Sequence, residues 1–174
     1  MSLGPIATTD DLGAYSSGDD QTLIDQATAE VRRFCGWHIA PSVTEDVTVD
    51  GSGHPFVSLP SLHVTNVASV VEGGYLLDGS SYQWSEVGQL WRAWPWSGDF
   101  RAITATITHG FPVVPEDVRA VVLAVAARAK ASPDGVVRRQ AGPFSEAYSQ
   151  TGFNVAGGVS LLQHEKDALA RYKL

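Results

Sequence analysis

The chain has 174 residues, 44% of them hydrophobic and 18% charged, which is typical of one globular domain and not of a disordered segment. The net charge of −7 divides into −4 on residues 1–40, −5 on 41–109 and +2 on 110–174, and this balance argues against phosphate-backbone binding as the main role. The one cysteine excludes a disulfide framework and a cysteine-based zinc site, and no apolar run approaches the roughly 20 residues that span a bilayer.

The first predicted element is a helix over residues 19–36. Asp19 or Asp20 can cap its start, because a carboxylate accepts a hydrogen bond from an unpaired backbone N–H. Apolar residues then recur at spacings of three and four, which places them on one helical face: Leu23, Ile24, Ala27, Val31, Phe34 and Cys35. We therefore predict that the thiol of Cys35 is buried. Gly36 is a typical residue for the end of this helix.

Residues 43–109 change to a period of two. Short runs of β-branched and aromatic residues alternate with Gly, Asp and Ser, which is typical of an antiparallel sheet of hairpins. In the last run, Ile103, Ala105 and Ile107 alternate with threonines. We expect no helix in this region.

A second helix is predicted over 115–131 and a third over 160–173. Pro115 fits a first helical turn, and Glu116 and Asp117 complement its positive end. Ser160 with Gln163 suggests a capping box for the third helix. Between these helices, 136–159 is Gly-rich and is predicted to be a flexible arm or hairpin. The expected fold is α+β and a single domain over 1–174. It is a small bundle of about three main helices, with an antiparallel β-sheet region inserted between the first and the second.

No pattern in the sequence predicts chemistry. The histidines at 38, 54, 63, 109 and 164 form no i, i+4 pair and no HExxH motif. Phosphate loops, dinucleotide motifs and nucleophile elbows are also missing. The carboxylates mostly fit helix starts and turns. We therefore predict no catalytic, cofactor-binding or metal-binding residue, and His109 is expected to pack at a strand-to-helix corner.

The densest unusual feature is a tract of aromatic residues. Trp84 is followed by Trp91, Trp94 and Trp96, and the last three are the candidate aromatic contact surface. Tryptophans on a sheet can form a core or a subunit interface, or they can stack against a carbohydrate or peptide. Stacking against nucleic acid is disfavoured because the surroundings are not basic.

The order of elements resembles the head–tail connector (head-completion or adaptor) proteins of tailed bacteriophages, notably those of actinobacterial phages and prophages. The resemblance rests on the first helix ending in Phe-Cys-Gly, on Thr106-Ile107-Thr108-His109-Gly110, on the Pro115 helix, on Gly142-Pro143-Phe144-Ser145 and on the last helix. The resemblance covers nearly the whole chain. The order in which these motifs occur is more specific than any one of them. The Gly-rich spacer 151–159 departs from the family pattern.

The resemblance implies a structural virion protein and not an enzyme. Family members form a ring, generally twelve-fold in the virion, beneath the portal protein. The ring extends the DNA channel, which DNA crosses without specific binding, and it offers a docking platform for the next connector or tail protein. The resemblance implies no cofactor and no membrane contact, and it implies a location at the head–tail junction after synthesis in the bacterial cytoplasm.

One further contact surface and two alternative functions complete these expectations. The candidate subunit or portal interface comprises the arm residues Arg138, Arg139, Phe144 and Tyr148 and the last-helix residues Leu169, Arg171 and Tyr172. The alternative is a carbohydrate- or ligand-binding β module that uses Trp84, Trp91, Trp94 and Trp96. An enzyme of unrecognised type is a third possibility, which a pocket that gathers a histidine and two carboxylates would favour.

Overall fold

A computed structural model of the chain describes residues 4–12, 18–131, 138–141, 144–147 and 159–174. Its contacts divide the chain into two units. The helical unit comprises residues 1–35 and 114–173, and the β unit comprises 36–113 with Leu174. The fold class is α+β, as the sequence predicts, with the antiparallel strands of the β unit between the first helix and the other two. No helix in the described part of the chain is both long and apolar enough to cross a membrane.

The helical unit is formed by three α-helices. These are α1 (Gly18–Cys35), α2 (Glu116–Ala131) and α3 (Gln163–Leu169), with short 3-10 turns at Thr9–Leu12 and Ala170–Tyr172. The buried face of α1 carries Ile24, Ala27, Val31 and Cys35, and that of α2 carries Val118, Val121, Val122, Val125, Ala126 and Ala129. Gly36 follows α1 with a φ of 83°, which a glycine adopts without steric strain.

The start of α3 differs from the prediction. The helix begins at Gln163 instead of near Ser160, and the Ser160–Gln163 capping box does not form. Instead, the Leu162 N–H donates to Oε2 of Glu165 at 2.8 Å, and the Ser160 carbonyl accepts from Arg128. The Glu165 carboxylate is buried and pairs with Arg128, with an Nη1–Oε1 distance of 2.8 Å. An ion pair between α2 and α3 therefore fixes the start of this helix.

The β unit contains two antiparallel sheets. The first has the order β1 (Val43–Val49), β7 (Ile103–His109), β3 (Val64–Glu72) and β4 (Tyr75–Leu76). The second has the order β2 (Phe56–Ser58), β6 (Gln89–Trp91) and β5 (Gln83–Trp84). A single 3-10 turn at Gly79–Ser81 is capped by Asp78, and no α-helix lies among these residues.

Strand β7 shows how the sequence pattern produces the two faces of the larger sheet. Ile103, Ala105 and Ile107 are buried, and the threonines between them are partly exposed. The buried side chains belong to a core with Val70, Leu90 and Trp96. On the opposite face, hydroxyl groups bond across strands: Thr44 with Thr108, Thr48 with Thr104, and Ser69 with Thr106, which donates to Asp46.

The predicted arm lies partly within the described residues. Strand β8 (Arg138–Ala141) pairs antiparallel with β9 (Phe144–Ala147), in the register Arg138 with Ala147 and Ala141 with Phe144. The pairing is that of a hairpin. The remainder of 136–159, apart from Val159, lies outside the described residues.

Candidate functional site

The aromatic tract divides into buried and exposed members. Trp94 is 59% exposed and Trp91 is also exposed, whereas Trp96 is only 2% exposed. The Nε1–H of Trp96 donates to the Pro55 carbonyl at 3.1 Å, and its ring belongs to the core of the β unit. The expectation that Trp96 forms part of a contact surface is therefore wrong, because the fold uses this residue to fill its interior.

A buried ion pair holds the loop that carries Trp94. Arg92, itself buried, donates to both carboxylate oxygens of Glu72 at 2.7 and 2.8 Å. The same guanidinium also donates to the Trp94 and Pro95 carbonyls and lies 4.1 Å from the centre of the Trp96 ring. The planar guanidinium of Arg92 thus pairs with Glu72 and with two backbone carbonyls at once, which fixes the conformation of the loop that carries Trp94.

Glu72 responds to this environment. Partial burial acts to raise the pKa of its carboxyl group, but the hydrogen bonds from Arg92 and from the Ser97 N–H outweigh burial and bring the pKa below its usual value. The sequence alone could not predict this pair, since 20 positions separate its members and they lie at the ends of strands in two different sheets.

Exposed apolar side chains are concentrated in the β unit. All large hydrophobic residues that are exposed in the described chain belong to it: Phe56, Tyr75, Leu76, Trp84, Val87, Trp91, Trp94, Phe100, Val113 and Leu174. Phe56 and Trp91 are direct partners in the pairing of β2 with β6, so their side chains share a face of that sheet. We call these two residues the Phe56–Trp91 pair. Exposed aromatic groups of this kind are enriched at protein interfaces.

The last-helix residues of the predicted interface behave differently from one another. Leu169 and Tyr172 are buried within the helical unit, so they are not free for a partner, and the prediction is wrong for both. The side chain of Arg171 is 68% exposed and remains a candidate.

A polar network joins the end of the chain to the start of α2. The Tyr172 hydroxyl donates to Asp117 at 2.9 Å, and Arg171 forms an ion pair with the same carboxylate. Burial acts to raise the pKa of Asp117, but the hydrogen bonds from Tyr172 and Arg171 outweigh it, and the net pKa is below the usual value. Burial, followed by the bond to Asp117, raises the pKa of the Tyr172 phenol. Asp117 therefore links α2 to the C-terminal segment as well as complementing the start of its helix.

The arm residues of the predicted interface are located only by backbone. Arg138 and Arg139 lie on β8 and Phe144 on β9, and their side chains lie outside the described structure, as does the whole of Tyr148. Their role in contacts stays a prediction.

One group of side chains in the described residues has the composition of a metal site. His38, Glu45 and His109 each offer a ligand atom, and these atoms all lie within 4.8 Å of one another. His109 is buried at the end of β7, and the centre of its ring lies 4.4 Å from that of His38. The sequence did not indicate this group, because its members lie on three separate segments.

Comparison with known proteins gives one line of evidence. No protein-family model matches the chain, and no curated protein matches it. Among solved structures, the chain is similar to one from the "Neck of native GTA particle computed with C12 symmetry", a phage-like gene transfer agent. The TM-score is 0.57 with 13% identity, and the match covers 99% of this chain and 95% of the other. The chain therefore has, over nearly its full length, the fold of a protein found in the neck of a phage-like particle.

Proposed function

We propose that this protein is a structural component of the neck of a phage or phage-like particle, a head–tail connector that assembles as a twelve-fold ring. The observation that carries the proposal is the fold likeness, which extends over both units and concerns a neck with C12 symmetry. The order of sequence elements, which resembles the connectors of tailed phages, points independently to the same role. The partners in this proposal are the portal protein above the ring and the next connector or tail protein below it.

We propose further that the β unit supplies one side of the subunit contact. A ring with cyclic symmetry is closed by heterologous contacts, in which two different surfaces of the same chain meet. The Phe56–Trp91 pair and Trp94 offer aromatic area of the type enriched in such contacts. Arg138, Arg139, Phe144, Tyr148 and Arg171 remain candidates for the other side.

The charge of the chain suits a channel through which DNA passes. The β unit has a large excess of acids, and one of its two arginines, Arg92, is buried against Glu72. Few cations are then available to displace counterions from a phosphate backbone, so DNA binding is expected to be weak. Fluorescence anisotropy with labelled duplex DNA at low salt tests this point. Tight binding would contradict a passive channel.

The test of the neck proposal is disruption of the gene in the phage or prophage that encodes it. Negative-stain microscopy is expected to show filled or empty heads and separate tails, and complementation with the intact gene should restore joined particles. Complete, tailed particles in the disrupted strain would overturn the proposal.

A variant pair tests the aromatic contact. Trp91→Ser with Trp94→Ser should weaken self-association of the purified protein, measured by sedimentation velocity over a concentration series, and should fail to complement the gene disruption. Arg33→Ser is the matched control, because Arg33 is exposed on α1 and its ion pair within the described residues is with Glu30, three residues away. Equal association and complementation by both proteins would exclude these tryptophans from the contact.

The second candidate function is a carbohydrate- or ligand-binding module. The exposure of Trp84, Trp91 and Trp94 favours it, although Trp96 no longer belongs to the set. Titration with a panel of soluble glycans should then change the tryptophan fluorescence, and Trp94→Ser should abolish the change. If no glycan gives a saturable response, the glycan-binding function is excluded and the neck role remains.

A further inference from the structure

The larger sheet of the β unit has one long edge strand. In the order β1, β7, β3 and β4, strand β1 covers seven residues, whereas β4 at the other edge covers two. β1 pairs with β7 over its whole length, and no strand of the described chain lies on its other side. An edge strand offers backbone N–H and C=O groups to which a further strand can bind. β1 is therefore a place where this sheet can be extended.

The side chains of β1 determine which kind of strand its edge accepts. Thr44, Glu45 and Asp46 are exposed one after another. The Asp46 carboxylate accepts a hydrogen bond from Oγ1 of Thr106 at 2.6 Å, which holds it on the polar face of the sheet. Neither β1 nor β7 contains a lysine or an arginine. Because like charges on directly opposed residues destabilise a strand pair, this edge disfavours an acidic strand and favours a basic one.

A basic strand of this kind occurs in the β8–β9 hairpin. β8 contains Arg138 and Arg139 and no acid, whereas β9 contains Glu146 and no base. Among the described strands, these two pair only with each other. A two-stranded hairpin by itself is marginally stable in water, and a third strand stabilises it. β8 therefore combines an open edge with the charge that β1 favours.

The distance along the chain allows β8 to reach a neighbouring subunit. Six residues, 132–137, separate the end of α2 from the start of β8. A segment of six residues spans at most about 20 Å. Adjacent subunits of a ring are in contact, so a reach of this order is sufficient to bring β8 to the next copy.

We propose that β8 of one copy pairs with the edge of β1 in a neighbouring copy. The four strands of the larger sheet and the two strands of the hairpin then form one sheet across the subunit boundary. Backbone hydrogen bonds provide the affinity, and the two arginines opposite Glu45 and Asp46 provide the specificity. This inference rests on the proposed ring, and it names the strands that join its subunits.

The geometry meets the requirement of a closed ring. β1 and β8 are different surfaces of the same chain, so the contact between them is heterologous. The copy that contributes β8 to one neighbour still has its own β1 edge open to the neighbour on its other side. The same contact can therefore repeat from subunit to subunit, whereas pairing of β1 with a second β1 would stop at a dimer.

A charge exchange in the full-length protein tests the pairing. Arg138→Glu with Arg139→Glu should weaken self-association by about tenfold in a sedimentation-velocity concentration series, because acids then oppose acids across the two strands. Asp46→Lys in the wild-type background should weaken self-association as well. Asp46→Lys added to the Arg138→Glu, Arg139→Glu protein should instead strengthen association, since opposite charges then face each other again.

The matched control is Glu86→Lys. Glu86 is an exposed acid of the same unit, and it lies in the turn between β5 and β6, outside β1. Its replacement changes the net charge as much as Asp46→Lys does. Glu86→Lys should neither weaken the association of the wild type nor strengthen that of the Arg138→Glu, Arg139→Glu protein. Circular dichroism and tryptophan fluorescence verify that each variant folds.

Disulfide formation tests the contact by position instead of charge. Asp46→Cys is combined in turn with a cysteine at each of the positions 138, 139, 140 and 141, and the native Cys35 does not compete because it is buried. Directly opposed residues of two strands lie within reach of a disulfide, and successive side chains point to opposite faces. Cross-links are therefore expected at alternate positions of β8. The products on a non-reducing gel should extend beyond dimers, since each copy has both strands.

Three results would overturn the strand contact. They are a wild type that does not self-associate at any concentration, equal effects of Asp46→Lys and Glu86→Lys, and disulfides that form within single chains or at none of the β8 positions. The neck role has a separate test in the gene disruption. Separate heads and tails in the disrupted strain, with no cross-link between copies, would reject the strand contact alone, whereas complete tailed particles would reject the neck role.

Discussion

The two units of this protein differ in what they leave at their surfaces. In its described residues, the helical unit has no large hydrophobic side chain that is exposed, and its surface carries ion pairs such as Arg33 with Glu30. The β unit buries an ion pair, Arg92 with Glu72, and leaves Phe56, Tyr75 and Trp94 exposed. A soluble monomer rarely keeps so many large apolar groups in water without a use for them. The difference supports the proposal that the β unit supplies one side of a subunit contact.

Two natural probes report on the units separately. All five tryptophans lie within residues 36–113, so tryptophan fluorescence follows the β unit alone. The far-UV circular dichroism of α1 and α2, together with Cys35 at the end of α1, follows the helical unit. The contrast between the units can therefore be measured in a single sample.

The largest effect is expected for Trp96→Ala. Loss of this buried ring removes its contacts in the core and the bond to the Pro55 carbonyl, and should lower the free energy of unfolding of the β unit by about 3–5 kcal/mol. Trp94→Ala, two positions away and exposed, should change it by less than about 0.5 kcal/mol. Urea unfolding followed by fluorescence measures both. Similar losses of unfolding free energy in the two variants would contradict a buried Trp96 and an exposed Trp94.

Glu72→Gln should have the next largest effect. It leaves Arg92 buried without its anion, and loss of one partner of a buried pair costs about 3–5 kcal/mol, here at the low end because Glu72 is partly exposed. The double variant with Arg92→Met should recover part of the loss, since no unpaired charge then remains. In the helical unit, Arg171→Met removes an exposed partner of Asp117 and should give too small a change to resolve by urea unfolding.

Acid should weaken both units through carboxylates with lowered pKa values. Asp117 in the helical unit and Glu72 in the β unit titrate below their usual values. Each therefore contributes stability that is complete above the unfolded-state pKa, about 3.9 for Asp and 4.3 for Glu, and is lost as the pH falls through the lower folded-state value. Unfolding in urea at a series of pH values, followed by dichroism and fluorescence, should show both losses.

Single variants separate the two acid effects. Asp117→Asn should reduce the acid-induced loss of stability that is measured by circular dichroism and should not change the loss that is measured by fluorescence. Glu72→Gln should have the opposite effects. An acid limb that is unchanged in both variants would show that other groups control it.

The smallest effect is expected at Cys35. Burial raises the pKa of its thiol to about 11, so almost no thiolate forms at neutral pH. Burial also keeps reagents in solution away from the sulfur. A thiol reagent at neutral pH should label the native protein very slowly and the urea-unfolded protein quickly. Trp96→Ala, which acts on the β unit, should leave slow labelling unchanged. Fast labelling in that variant would show that the units unfold together.

The sequence predicted the parts of the fold that depend on local periodicity. Spacings of three and four identified the buried faces of α1 and α2, and alternation identified the inner face of β7, because both periods are properties of neighbouring residues in one chain segment. The start of α3 could not be predicted in this way. Its first turn depends on Glu165, whose burial is made possible by Arg128 from α2.

The candidate sites were predicted least well. Trp91, Trp94 and Trp96 lie in one short tract with the same side chain, and nothing local distinguishes the ring that fills the core from those that remain in water. Leu169 and Tyr172 were expected at an interface, but a helix end can serve either a partner or its own core. The burial of these particular side chains depends on the distant segments that surround them, and local spacing does not reveal those segments.

By itself, the sequence determined the α+β class, the helical faces and the polar and apolar faces of the main sheet, since local spacing and backbone preference decide these. The tertiary structure alone decided which aromatic groups are exposed, that Arg92 meets Glu72, and that His38, Glu45 and His109 converge. The reason is physical: tertiary packing brings together residues that are far apart in the chain, and their hydrogen bonds, ion pairs and burial exist only after that packing has formed.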